Sequence, residues 1–153
     1  LGGGLLPVSA FLARNDLMEV FRPGDHGSTF GGNPLASAVA LAALELLMEE
    51  RLMERGAELG ARLIALLRKI ESPLIREVRG MGLLVGIEVD TRKTTARAVC
   101  ERLMEHGILT KDTHGNVVRL APPLIITLEQ IEWAAAEIRQ VFEELKEELQ
   151  RAA

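Results

Sequence analysis

The chain has 153 residues, with eighteen basic and twenty-two acidic side chains and a formal charge of −4. That length suits one modest domain, able to bury about two-thirds of the surface its unfolded chain exposes. An acidic balance with no lysine or arginine cluster excludes a general nucleic-acid-binding role, and Gly, Ser, Arg or Glu interrupts every apolar run before bilayer-spanning length. The 48% hydrophobic content supports a packed core. One cysteine, Cys100, rules out an intrachain disulfide framework and fits a reducing, cytoplasmic setting. Inside an expected helix it reads as a small buried apolar group. Three histidines without a compact Cys/His cluster offer no metal site.

In chain order, residues 5–12 form a short apolar stretch broken by Pro7 and Ser9, and a small helix is expected over residues 15–20. Residues 24–34 then place His26, Ser28, Thr29 and four glycines before Asn33-Pro34. Asn33 suits a helix N-cap and Pro34 the first turn, where a missing N–H costs nothing. Leu35, Ala38, Ala42 and Leu46 give the long helix that follows an apolar stripe. Gly56 and Gly60 interrupt or loosen it, and Leu59, Leu63, Leu66, Leu67 and Ile70 continue its period until Pro73.

Residues 75–79 read as a strand entering a glycine turn at Gly80 and Gly82. Residues 83–89 read as the next strand, with Val85, Ile87 and Val89 on one face. A helix capped by Thr94 or Thr95 runs to Glu105, and Ile108 and Leu109 open another short strand. After the turn ending at Asn116, residues 117–120 return to the sheet. Thr127, with Gln130 three residues on, makes a capping box for the last helix. Its buried stripe runs through Ile131, Ala134, Ala135, Ile138, Val141, Phe142 and Leu145, and its charged face meets water. The pattern is a small α/β domain with mixed or antiparallel pairing, into which the first thirty residues fit less well.

Glycines allow close backbone approach, and free N–H and hydroxyl groups suit an anion, so residues 24–34 read as a phosphate contact or as a capped connector. Ser28 and Thr29 either donate to that anion or cap the local turn. Arg119 either forms a structural ion pair or grips a carboxylate through two parallel hydrogen bonds. His26 has no Ser or Cys nucleophile in a catalytic context and reads as a structural hydrogen-bonding group. His114 shapes the loop before Arg119, and Arg79 reads as a salt-bridge or carbonyl contact. Neither glycine pair has the strand–loop–helix setting of a Rossmann fingerprint.

Residues 26–46, with Arg79-Gly80-Met81-Gly82-Leu83 and Arg119-Leu120-Ala121-Pro122-Pro123-Leu124, resemble the final third of class III, fold-type I aminotransferases. The resemblance implies pyridoxal 5'-phosphate as cofactor and a homodimer or higher homo-oligomer. It also implies a division into residues 1–32, a remnant of the large cofactor-binding domain with its interface loop, and residues 33–153, a helix leading into the small C-terminal domain. In similar enzymes the loop crosses the dimer interface, which implies Thr29, assisted by Ser28, as ligand of the neighbouring subunit's cofactor phosphate. Arg119 is implied to bind the α-carboxylate of 2-oxoglutarate or glutamate. The Schiff-base lysine is implied two residues before Leu1, so no catalytic residue is assigned here and the chain alone is expected to be inactive. Residues 111–115 and 118–123 most resemble members that pass the δ-amino group of ornithine to 2-oxoglutarate, with members acting on N-acetylornithine as rivals. A natural start at Leu1 predicts instead an inactive interface or binding domain.

Overall fold

The computed structural model describes residues 1–151, which divide into two compact units, the first Leu1–Leu52 and the second beginning at Met53. In the first, residues 1–14 are irregular and α1 is a single turn, Asn15–Met18. The helix α2, Pro34–Glu49, starts as its residues dictate: Asn33 accepts the Ala36 N–H at 2.8 Å and Pro34 occupies the first turn. Its apolar character extends around most of its circumference, so Leu35, Leu41, Leu44, Leu46 and Met48 are all exposed. The expected continuous helix breaks earlier than the glycines suggest. Arg51 takes a left-handed φ of 51°, and α3, Leu52–Leu67, begins after it with Gly56 and Gly60 inside.

The second unit is a four-stranded antiparallel sheet covered on one face by helices. Its strands are β1 (Ile75–Met81), β2 (Leu84–Val89), β3 (Lys111–Thr113) and β4 (Val117–Leu120), in the spatial order β1-β2-β4-β3. All three pairings are antiparallel. Ile108 and Leu109 stay outside the sheet, and the third strand starts only at Lys111; Ile108 packs against the core while Leu109 is 85% exposed. Alternation along the strands sends Val78, Val85, Ile87, Val89, Val118 and Leu120 to one side. There they join Leu59, Leu63 and Leu67 of α3, then Val99 and Leu103 of α4 (Ala96–Glu105). Ile131, Ile138, Val141 and Phe142 of α5 (Leu128–Arg151) complete the core. Cys100 lies in this cluster, and burial pushes its thiol pKa up, as an inert core group requires.

Local signals set the helix starts. Thr95 caps α4 by accepting the Ala98 N–H. Thr127 and Gln130 form the reciprocal box: the Gln130 N–H donates to the Thr127 hydroxyl, and the Thr127 N–H to the Gln130 side chain. Asp90, buried after β2, accepts two hydrogen bonds from the Arg92 guanidinium at 2.9 and 2.8 Å, which hold its carboxyl well below the usual range.

The β1–β2 hairpin turn, Gly82-Leu83, sits directly against α3. Gly82 adopts φ 53°, which a two-residue hairpin loop needs and glycine supplies without cost. A Cβ placed on Gly60 would lie 2.0 Å from the Gly82 carbonyl oxygen, so helix and turn touch backbone to backbone. Gly56, one turn earlier, has 3.4 Å to the Leu124 side chain. Gly60→Ala is therefore expected to destabilise the chain by about 1–3 kcal/mol through overpacking, and Gly56→Ala by clearly less. Urea unfolding midpoints of the two variants check this ordering.

Candidate functional site

The sequence-predicted residues fall in both units: Ser28 and Thr29 in the first, Arg119 in the second. Around Ser28 the loop is tied by its own side chains. Asp25 accepts the Arg22 N–H at 2.8 Å, Ser28 accepts the Gly31 N–H at 3.1 Å, and the Asn33 amide donates to the Phe30 carbonyl at 2.8 Å. Phe21 and His26 face each other, with ring centroids 6.4 Å apart. Ser28 thus caps the local turn through its oxygen while its hydroxyl proton stays available. The Thr29 hydroxyl and the N–H groups of Ser28 and Thr29 have no acceptor among the described residues. An exposed turn with such unspent donors suits a phosphate or carboxylate.

Arg119 occupies the middle of β4, between buried Val118 and Leu120, so the pleat directs its side chain to the uncovered face. Cross-strand register places four residues in one row on that face: Arg79 of β1, Gly86 of β2, Arg119 of β4 and Lys111 of β3. Two of the cations differ sharply in their surroundings. Arg79 reaches both Glu77 and Glu88 at 2.7 Å, and those carboxylates hold its guanidinium protonated. The Arg119 guanidinium has no ion pair or hydrogen bond among the described residues; its backbone is paired in the sheet, where the Thr110 hydroxyl also donates to its carbonyl.

Gly86 keeps the floor between the two arginines low. A Cβ there would stand 3.1 Å from a Val117 methyl, tighter than ordinary contact, and would rise into the row. The result is an open groove of about 330 Å³ bordered by Arg79, Met81, Leu84, Gly86 and Arg119. Pro122 and Pro123 follow Leu120 and restrict the chain leaving the strand. A free guanidinium beside a cleared floor has the chemistry to accept a carboxylate. The sequence singles out Arg119 but not its row partners Gly86 and Lys111, because only strand register reveals them. Among the described residues, no group of three His, Cys, Asp or Glu side chains could hold a metal ion.

Comparison with known proteins defines the class. The class-III aminotransferase family model matches residues 1–142, and the chain belongs to that family, whose members use pyridoxal phosphate. The ornithine aminotransferase of Geobacillus sp. (strain WCH70) is 52% identical over 142 residues, covering 93% of this chain and 35% of that protein. The solved ornithine aminotransferase of Toxoplasma gondii, with pyridoxal phosphate partly occupying its active site, superposes with a TM-score of 0.91 at 45% identity. That match covers 96% of this chain and 35% of the other. The acetylornithine aminotransferase of Elizabethkingia anophelis gives a TM-score of 0.86 at 48% identity, covering 94% and 37%. The chain therefore spans about a third of the length of the relatives it matches.

Because Arg119 is exposed and unpaired, removing it leaves no buried charge behind. Arg119→Ala is expected to change unfolding stability by no more than about 0.5 kcal/mol, measured by chemical denaturation.

Proposed function

We propose that this chain is the carboxyl-terminal part of an ornithine aminotransferase, which passes the δ-amino group of ornithine to 2-oxoglutarate and yields glutamate semialdehyde and glutamate. The observation that carries the reading is the unpartnered Arg119 guanidinium on the uncovered sheet face beside Gly86. Its support is the sequence identity with ornithine aminotransferases across nearly the whole chain. Residues 1–32 serve as the edge of the large domain and residues 33–153 as the small domain, with α2 leading from one to the other.

Pyridoxal phosphate supplies the electron sink for amino-group transfer when bound. The residues present fit its phosphate: an exposed hydroxyl at Thr29, a second at Ser28 whose oxygen is already fixed by the Gly31 N–H, and free main-chain donors beside them. Thr29 binds that phosphate, and Ser28 assists, across the interface of a homodimer or higher homo-oligomer. Arg119 grips the α-carboxylate of 2-oxoglutarate through two parallel N–H donors and fixes the substrate's orientation. Arg79, neutralised by Glu77 and Glu88, borders the groove without competing for the anion. The 153-residue chain alone is expected to be inactive, since the resemblance places the cofactor-anchoring lysine outside it. A cytoplasmic setting accords with Cys100, which is free and buried.

The assay is glutamate semialdehyde formation by the intact enzyme from ornithine and 2-oxoglutarate, run beside N-acetylornithine. Turnover of N-acetylornithine alone overturns the substrate assignment in favour of an acetylornithine aminotransferase. Arg119→Ala is expected to lower kcat/KM for 2-oxoglutarate by about 2–5 kcal/mol, roughly 30-fold to several-thousand-fold, with Arg119→Lys recovering only part. Thr29→Val is expected to weaken cofactor retention by about 1.5–3 kcal/mol, roughly ten- to a hundredfold, read as loss of cofactor absorbance on dialysis.

A further inference from the structure

We propose that His106 is a pH-dependent clasp between α4 and α5, bridging Glu137 and Glu144 while both ring nitrogens carry protons and releasing one of them when the ring is neutral. His106 caps the C-terminus of α4, and its side chain is only 16% exposed against α5. Nδ1 lies 2.9 Å from a Glu137 carboxylate oxygen, and Nε2 lies 3.3 Å from a Glu144 oxygen. Carboxylates only accept hydrogen bonds, and a neutral imidazole has a single N–H to give. Satisfying both partners at once therefore requires the imidazolium.

The charges around it favour the same form. On α4, Arg102 binds Glu105 at 3.2 Å and reaches across to Glu144 at 3.3 Å and Glu148 at 2.9 Å. With His106 neutral, this interface sets one cation, Arg102, against four carboxylates: Glu105, Glu137, Glu144 and Glu148. Glu137 has His106 as its sole side-chain partner among the described residues. No charged group from β3 or β4, beneath α4, contacts the ring among the described residues. Two carboxylates raise the imidazole pKa, with Glu137 first among the causes, and a cation at a helix C-terminus is favoured by the backbone carbonyls there.

Linkage fixes the sign. A histidine whose folded pKa exceeds its unfolded value contributes stability that is complete below the unfolded pKa of about 6.5 and lost as pH rises through the folded pKa. The chain links the clasp to the site. Residues 107–110 leave it directly, and Thr110 at their end holds the Arg119 carbonyl. Loosening α4 from α5 in alkali thus acts on the segment that steadies Arg119.

The test is a histidine Cε1–H NMR titration of the full chain, alongside thermal unfolding of the unsubstituted chain, His106→Gln and Glu137→Gln from pH 6 to pH 9. The signal missing from His106→Gln identifies the residue. It is expected to titrate above about 6.5, and Glu137→Gln is expected to move it downward. The stability advantage over His106→Gln should fall to roughly half or less across that range. Titration at or below about 6.5, or a pH-independent advantage, overturns the clasp. The titrations of the unsubstituted chain and Glu137→Gln decide the matter even if His106→Gln does not fold.

Discussion

The β2–β4 ladder is the constraint on which the rest of this structure depends. Val85, Ile87, Val118 and Leu120 must all enter the core, and their pairing leaves Gly86 opposite Arg119 on the other face. A slip of β4 by one residue would bury the guanidinium and expose Val118 and Leu120, so the core itself specifies where the arginine points. Hydrophobic burial, which recognises no substrate, thereby positions the side chain proposed to do so.

Charge placement completes that arrangement. Arg79 is held between Glu77 and Glu88, Arg92 by Asp90, and Arg102 by three glutamates. Arg119 stands apart from these, its guanidinium without an ion pair or hydrogen bond among the described residues. Arg55 and Arg68 brace the fold through carbonyls instead, donating to Ile126 and Val78. The backbone contact of Gly60 with Gly82 serves the same end from below. It seats the β1–β2 hairpin on α3 and so anchors the first two strands of the cationic row.

Much of this was legible in the sequence. Period-two alternation marked Val85, Ile87 and Val89, and the caps at Asn33, Thr95 and Thr127 are one-dimensional signals that chemistry reads directly. Four features were not. The break at Arg51 lies beside the glycines that seemed to announce it, because those glycines answer a tertiary contact with Gly82 rather than a helix end. Ile108 and Leu109 look like a strand, but no neighbouring strand pairs with them, and pairing is nonlocal. The row through Lys111, Arg119, Gly86 and Arg79 joins residues up to forty positions apart, and only register brings it together. Likewise, nothing in the spacing of His106, Glu137 and Glu144 announces a cluster until α5 packs on α4.

The most direct test of the account is a crystal structure of the intact enzyme with pyridoxal phosphate and glutarate, a dicarboxylate that mimics 2-oxoglutarate without reacting. One glutarate carboxylate is expected on the Arg119 guanidinium through two parallel hydrogen bonds of about 2.7–2.9 Å. Glutarate bound elsewhere, with Arg119 turned to solvent or paired with a protein carboxylate, would contradict it.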